Sequence, residues 1–225
     1  MDAGLRQLAL ALDHDESFER EDFLEGPSNE TALRLVESWP DWPGRAVALV
    51  GPQGAGKSHL AAIWAAQAGA RFLSARALDT ARLPDALATG ALVVEDLSDG
   101  LIDERALFHL LNLAREEDAF LLLTTRQAPA NWTVAINDLG SRLRALPVVT
   151  LMPPDDVLLR AVLVKIFADR QLAVDESLVA YLATHIDRSF AAAHAAVAAL
   201  DAEALRAQRP VTRALAAALF RETSP

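Results

Sequence analysis

The feature that most constrains how this chain can fold is one eight-residue stretch that fits the phosphate-binding P-loop at every fixed position. That pattern is a Gly, four free residues, then Gly, Lys and Ser or Thr. The stretch consists of Gly51, Pro52, Gln53, Gly54, Ala55, Gly56, Lys57 and Ser58. An apolar run at 45–50 precedes it, and a segment of helical composition at 59–66 follows it. The sequence therefore predicts a buried strand, a glycine-rich loop and a helix, in that order.

The residue types of the loop explain the spacing of the pattern. Glycines let the backbone N–H groups point at phosphate oxygens, and the helix N-terminus adds its partial positive charge. Lys57 is predicted to reach the outer phosphates, and the Ser58 hydroxyl is predicted to hold Mg²⁺. The alternative is a glycine-rich turn between a strand and a helix that binds nothing. The complete match favours nucleotide binding over that alternative.

Composition narrows the classes of protein that the chain can represent. Its 225 residues suffice for one large domain or for one domain plus a small one, and 52% hydrophobic residues support a packed core. A net charge of −10, from 21 basic and 31 acidic side chains, argues against strong direct binding to DNA. The absence of cysteine excludes disulfides and thiolate metal sites. No segment approaches the roughly 18 apolar residues of a membrane helix, so we expect a cytoplasmic protein that does not bind membranes.

The pattern of the chain changes near residue 153. Before that point, apolar segments typical of buried strands alternate with helical segments, as at 71–74, 91–96 and 120–125. This alternation predicts a parallel sheet covered by helices on both faces. After it, the sequence predicts only helices. We therefore expect three parts: an N-terminal peptide and linker at 1–17, a P-loop α/β domain at 18–152, and a small all-α lid domain at 153–225.

Two carboxylates follow one of the predicted strands directly. A P-loop site needs an acidic partner at the end of a neighbouring strand, to hold the Mg²⁺ shell and to orient the attacking water. Glu95 and Asp96 come straight after the apolar run at 92–94. We interpret both as catalytic residues, with Glu95 contacting Mg²⁺ partly through water. The alternative is an acidic turn of the kind that follows many buried strands.

A helical domain after a P-loop α/β domain resembles the plan of the AAA+ ATPases. Several details are similar to the family of the bacterial replication initiator DnaA and its shorter relative Hda. The resemblance spans roughly residues 18–220, and the motifs agree in order and spacing. They are FLEGPSN at 23–29, GKSHL at 56–60, the LTT that begins 123–129, and DLGSRL at 138–143.

The resemblance implies roles for residues outside the P-loop. The segment at 23–29 would lie on the adenine side of a bound ADP or ATP, Thr125 would end the sensor-1 strand, and Arg142 would be an arginine finger that acts on a partner's nucleotide. Taken without the family, Arg142 could equally be a surface arginine. The implied nucleotide-binding set outside the P-loop consists of Phe23, Asn29, His59 and Arg188.

The chain departs from the family pattern at three positions. Glu95 stands where the family usually has Asp, and Arg126 lies near a position that often carries Asp. Ala192 aligns with the sensor-2 arginine of the lid, and Arg188 is the nearest substitute. These departures imply weak intrinsic ATP hydrolysis.

The first residues carry a second element of the resemblance. Hda-type proteins have a peptide near the N-terminus that binds the DNA polymerase sliding clamp, and 7–12 looks like it. A glutamine with leucines at alternate positions suits an extended peptide, whose glutamine bonds at a pocket rim while leucines enter apolar pockets. The binding residues would be Gln7, Leu8, Leu10 and Leu12. The alternative is an amphipathic segment that folds back on the core.

Three functions remain open at this point. The resemblance implies a nucleotide-bound regulator that binds the sliding clamp, promotes hydrolysis of DnaA-bound ATP and can associate with further copies of itself. No residues remain after the lid for a helix-turn-helix domain like that of DnaA, which favours the Hda-like interpretation. The alternatives are an autonomous ATPase that remodels proteins or loads a helicase, and a scaffold with a vestigial nucleotide site.

Overall fold

The computed structural model of the chain describes residues 18–100 and 102–221. These residues form two compact units, and the first ends at Asp155. The predicted clamp-binding peptide at 7–12 lies outside the described residues.

The first unit is built on a five-stranded parallel sheet with the order β2-β3-β4-β1-β5. Its three central strands are almost wholly buried, which explains why their sequences are continuous apolar runs. The strands are β1 (Ala46–Val50), β2 (Arg71–Ser74), β3 (Ala91–Leu97), β4 (Phe120–Thr125) and β5 (Val148–Thr150). The predicted α/β class with a parallel sheet is confirmed.

Helices cover both faces of this sheet. They are α1 (Glu30–Glu37), α2 (Lys57–Ala68), α3 (Leu83–Ala86), α4 (Glu104–Glu116) and α5 (Asn137–Ala145), with short 3₁₀ turns at Arg20–Asp22, Ala75–Ala77, Thr80–Arg82 and Pro129–Asn131. Side chains alternate between two apolar cores, because successive strand residues point to opposite faces. Val94 packs in one core with Leu110 of α4, and Val93 packs in the other with Trp64 of α2.

The parallel arrangement brings the carboxyl ends of three strands to one edge of the sheet. The P-loop follows β1, Glu95 and Asp96 lie just before the end of β3, and Thr125 ends β4. Ligands of open α/β sheets bind at this edge. The fold thus places the three predicted parts of the nucleotide site on neighbouring strands.

The second unit is entirely helical among its described residues. It contains α6 (Asp156–Asp169), α7 (Glu176–His185), α8 (Phe190–Ala207) and α9 (Arg213–Arg221) around an apolar core. Asp175 and Ser189 cap α7 and α8, accepting bonds from Leu178 N at 2.8 Å and Ala192 N at 3.1 Å. Within 18–100 and 102–221, no helix is both long enough and apolar enough to cross a bilayer.

Candidate functional site

The P-loop has the backbone geometry that its glycines predict. Gly51 N donates to Thr125 O at 3.1 Å, which ties the start of the loop to the end of β4. A Cβ on Gly51 would lie 2.7 Å from Leu151 O, so only glycine fits there. Gly54 (φ 72°) and Gly56 (φ 94°) adopt the left-handed conformation that glycine tolerates without strain. The loop therefore closes tightly just before α2 begins.

Lys57, the first residue of α2, folds back over the loop that precedes it. Its Nζ donates to Gly51 O and Pro52 O, both at 2.8 Å, and the residue is only 8% exposed. Burial lowers the pKa of Lys57, the Asp96 carboxylate raises it, and the Arg126 guanidinium lowers it. The ammonium group of Lys57 is thus bonded to two carbonyl oxygens of its own loop.

The remaining loop positions divide into buried and exposed ones. Ala55 is buried at 1% exposure and packs in the core beneath α2. Gln53 and Ser58 are exposed. Ser58 is the second residue of α2, so its hydroxyl lies in the first turn of the helix, where the pattern requires it.

The two predicted carboxylates differ in their surroundings because β3 contains a bulge. Asp96 has a φ of 57°, and its N–H donates to Thr124 Oγ1 at 3.0 Å. Its side chain is exposed and its negative charge raises the pKa of Lys57, whereas the Glu95 side chain is half-buried. Sequence reasoning ranked Glu95 first as the metal contact. Thr124 is a residue that it did not consider.

The donor atoms at this edge fit Mg²⁺. The hydroxyl of Ser58 and the carboxylates of Glu95 and Asp96 are hard oxygen ligands. In the described part of the chain, no group of three or more His, Cys, Asp and Glu side chains could enclose a metal ion by itself. Mg²⁺ at nucleotide sites is usually held by one or two carboxylates together with substrate phosphates and water.

At the end of β4, the hydroxyl of Thr125 is hydrogen-bonded within its own turn, and the next residue is the exposed Arg126. Thr125 is 1% exposed, and its Oγ1 donates to Gln127 O at 2.9 Å and accepts from Gln127 N at 3.3 Å. This hydroxyl stabilises its own turn. Arg126 is exposed, and its charge acts on Lys57.

The predicted adenine-side segment is ordered by its own side chains. Asn29 is 2% exposed; its Oδ1 accepts from Gly26 N and its Nδ2 donates to Leu24 O, both at 2.9 Å. Phe23 is buried and contacts the edge of the His59 ring, with 5.1 Å between centroids. These contacts place the segment beside the first turn of α2.

His59 has a second aromatic contact that the sequence did not indicate. The Phe18 ring lies 5.4 Å from the His59 ring, also edge-on, and His59 Nε2 lies 2.9 Å from Glu19 O. Phe18 stands in an acidic stretch without apolar periodicity, so no sequence signal marked it. The chain just after residue 17 is thereby joined to the helix that carries the P-loop lysine.

Arg142 lies on α5 and is half-buried. Its Cζ is 5.2 Å from the centroid of the Phe108 ring on α4, a cation–π contact. Within 18–100 and 102–221 it forms no ion pair, whereas Arg144 donates to Ser141 Oγ at 3.3 Å. Sequence reasoning missed how α5 is held: both carboxylate oxygens of Glu104 accept backbone N–H groups just before α5 begins, each at 3.0 Å.

The two lid positions considered from the sequence belong to the helical unit. Ala192 lies in the first turn of α8. Arg188 precedes that helix, and its Nη2 lies 2.8 Å from Asp156 Oδ1 in an exposed ion pair. Within this unit, Arg188 thus already has a carboxylate partner.

Comparison with solved structures shows which fold this geometry belongs to. Domain III of the Thermotoga maritima replication initiation protein DnaA matches with a TM-score of 0.75 and 19% identity, over 91% of this chain and 96% of that one. AMPPCP-bound DnaA from Aquifex aeolicus matches with a TM-score of 0.66 and 17% identity, over 80% of this chain and 64% of that one. The Thermotoga maritima RuvB Holliday junction branch migration motor matches with a TM-score of 0.73 and 16% identity, over 92% and 72%.

These TM-scores show a shared fold. The chain has the α/β fold of DnaA domain III and RuvB, which confirms the resemblance at the level of the fold. No protein-family model matches the chain, and a search of curated proteins finds no significantly similar sequence.

Proposed function

We propose that this chain is an adenine-nucleotide-bound AAA+ regulator that binds the sliding clamp and promotes hydrolysis of DnaA-bound ATP, thereby limiting re-initiation of replication. The observation that carries the proposal is the P-loop itself. Two left-handed glycines lead into a helix whose first residue is the buried Lys57, in a fold shared with DnaA domain III.

The chain's own site is suited to a nucleotide polyphosphate. The N–H groups of the loop and of the first turn of α2 would bind phosphate oxygens, and Lys57 would exchange its two carbonyl partners for the outer phosphates. Ser58, Glu95 and Asp96 would hold Mg²⁺, which supplies positive charge against the β- and γ-phosphate oxygens. The AMPPCP-bound DnaA structure supports an adenine nucleotide as the ligand.

Arg142 is the residue that we propose acts on the partner. In the described part of the chain its guanidinium has no carboxylate partner, so its planar fork of donors is available to phosphate oxygens. An arginine finger supplied in trans contributes about 10³–10⁵ to the hydrolysis rate. Ala192 in place of a lid arginine supports a division of labour, in which this chain retains its own nucleotide and accelerates turnover on the other protein.

The sliding clamp would bind the peptide at 7–12. Its glutamine and alternate leucines fit an extended peptide that fills apolar pockets. A clamp loaded on DNA would concentrate the regulator where replication has started, which would make its action depend on DNA.

The test follows ATP hydrolysis on DnaA with clamp-loaded DNA and different forms of this chain. Arg142→Ala should reduce the stimulation to background while leaving folding, ADP affinity and clamp binding unchanged. Arg144→Ala is the matched control, since it removes an exposed arginine two residues away on the same helix, and it should stimulate normally. Equal stimulation by the Arg142→Ala protein and wild type would refute the finger assignment.

Two further variants separate the other parts of the proposal. Lys57→Ala should abolish ADP binding in a calorimetric titration, and unchanged affinity would exclude this loop as the nucleotide site. Replacing Gln7, Leu8 and Leu10 with Ala should abolish clamp binding without lowering ADP affinity. Equal clamp retention by this triple variant and wild type would remove the clamp from the proposal.

A second candidate is an autonomous ATPase. It is favoured by the similarity to RuvB, whose structure is described as a branch migration motor, and by the presence of both carboxylates at the end of β3. This candidate predicts substantial ATP turnover by the isolated chain, abolished by Asp96→Asn. ATP turnover near background in the isolated chain, together with strong stimulation of ATP hydrolysis by DnaA, would favour the regulator over the autonomous ATPase.

A further inference from the structure

The strand that ends in the two carboxylates contains one extra residue. Val94 pairs with Leu123, and the next paired residues are Leu97 and Thr125. Glu95 and Asp96 therefore both lie opposite the single residue Thr124 of β4. Two residues against one is the arrangement of a β-bulge.

The bulge changes which way the following side chains point. In an unbroken strand, Leu97 would lie on the face opposite Val94. It packs instead in the same apolar core as Leu92 and Val94. The extra residue thus returns Leu97 to the apolar core, and the Asp96 side chain no longer follows the regular alternation of side chains between the two faces of the sheet.

Asp96 adopts a conformation that needs support. Its φ of 57° is uncommon for any residue other than glycine. Its N–H cannot follow the regular ladder at the bulge and donates to Thr124 Oγ1 at 3.0 Å instead. Thr124 is 1% exposed, so the acceptor is a buried hydroxyl whose position is fixed by packing within the sheet.

The outcome of this arrangement is that the two carboxylates have different surroundings at the carboxyl edge of the sheet. Asp96 is the residue of the pair that departs from the regular strand geometry. It is exposed, and Glu95 is half-buried. The P-loop and β4 are also joined directly, through Gly51 N and Thr125 O at 3.1 Å.

We propose that Thr124 is a positioning residue that holds Asp96, and that Asp96 rather than Glu95 is the main carboxylate for the Mg²⁺ of a bound nucleotide. The proposal rests on nucleotide binding at this P-loop. The Thr124 hydroxyl on the neighbouring strand would act on the metal ion indirectly, by holding the residue whose carboxylate contacts it.

The experiment measures ADP affinity by calorimetry in Mg²⁺ and again in excess EDTA. Residues that orient a metal ligand typically contribute about 10- to 100-fold to metal affinity. Thr124→Val keeps the shape of the side chain and removes the acceptor, so the gain in ADP affinity from Mg²⁺ should fall about 10- to 100-fold while affinity in EDTA stays unchanged. Thr124→Ser retains the hydroxyl and should restore the gain.

The matched control is Thr89→Val. Thr89 precedes the opposite end of β3, where its hydroxyl donates to Ala91 O at 3.0 Å, and its replacement should leave both affinities unchanged. Asp96→Asn should remove more of the Mg²⁺ gain than Glu95→Gln. This pair of variants leaves the buried threonine intact, so it decides the assignment even if Thr124→Val folds poorly.

The outcomes separate this proposal from the proposed function. A normal Mg²⁺ gain in Thr124→Val, an equal loss of affinity with and without Mg²⁺, or a greater effect of Glu95→Gln than of Asp96→Asn would overturn the role of Thr124 and Asp96 while nucleotide binding stands. Failure of the wild-type protein to bind ADP in either condition would overturn nucleotide binding and this proposal with it.

Discussion

The attachment of α5 to α4 leads to a prediction about both stability and activity. Glu104 accepts the N–H groups of Ala135 and Ile136, at 3.0 Å each, although these residues are 31 and 32 positions away in the chain. Ile136 is the N-cap of α5, and Arg142 follows six residues later on that helix. The carboxylate thus ties the residues just before α5 to α4.

The magnitude of this interaction follows from its geometry. A typical hydrogen bond contributes a net of about 0.5–1.5 kcal/mol, and a bond to a charged acceptor contributes about 1.5–3 kcal/mol. Because Glu104 is only half-buried and water can replace part of its role, we expect Glu104→Ala to lower the free energy of unfolding by about 1–2 kcal/mol. For a protein of this size that corresponds to a decrease of about 2–8 °C in melting temperature. Glu104→Gln keeps one acceptor oxygen and should lose about half as much.

The assay combines thermal unfolding with the stimulated hydrolysis of DnaA-bound ATP. Glu104→Ala should reduce stimulation, because Arg142 depends on the position of α5, while ADP affinity remains that of wild type. Glu116→Gln is the control: Glu116 is the exposed last residue of the same helix, and its side chain bonds to nothing within 18–100 and 102–221.

Two results would refute the reasoning. A Glu104→Ala protein that unfolds at the wild-type temperature would show that the two bonds contribute nothing to stability. A protein with lowered stability but full stimulation at a temperature where it is folded would show that the action of Arg142 does not depend on the two bonds to Glu104.

Two further predictions concern the nucleotide site. Burial lowers the pKa of Lys57 from its ordinary value of 10.5, so ADP affinity should fall as the pH rises through the lowered pKa. Lys57→Arg, which stays charged, should abolish that dependence in calorimetric titrations at alkaline pH. The stability of the ligand-free protein changes in the opposite direction. The unfolded chain holds this proton up to about pH 10.5, whereas the folded chain loses it at a lower pH. Lys57 therefore makes the folded protein more stable as the pH rises from the lowered pKa to 10.5. Asn29→Ala removes an acceptor and a donor that are both bonded, so we expect a loss of about 1–3 kcal/mol in urea denaturation together with weaker ADP binding; unchanged values of both would exclude the segment at 23–29 from the site.

Most of the fold could be predicted because its determinants are local. The central strands are continuous apolar runs, and the P-loop pattern specifies both the turn after β1 and the start of α2. In the helical unit, where the sequence predicts only helices, Asp175 and Ser189 cap α7 and α8 at the residue before each helix begins. Each of these signals lies within a few residues of the structure that it predicts.

The details of the site depend on pairings that a single sequence does not display. The first four residues of β3 are all apolar and show no alternation, so the bulge at Asp96 could not be seen in the sequence. The bond from Asp96 N to Thr124 joins residues 28 positions apart, and the bonds from Ala135 N and Ile136 N to Glu104 join residues 31 and 32 positions apart. The family pattern directed attention to Thr125, whose hydroxyl serves its own turn, and away from its neighbour on β4.

These long-range bonds also separate the two proposed activities physically. The P-loop is fixed to β4 through Gly51 and Thr125, and α2 packs in the core on one face of the sheet. The helix that carries Arg142 is attached to α4 through Glu104 and Phe108, and α4 packs in the core on the other face. Retention of a nucleotide and presentation of an arginine to a partner therefore rest on different contacts. A regulator needs this independence, because its own nucleotide must stay bound while the finger enters and leaves another protein's site.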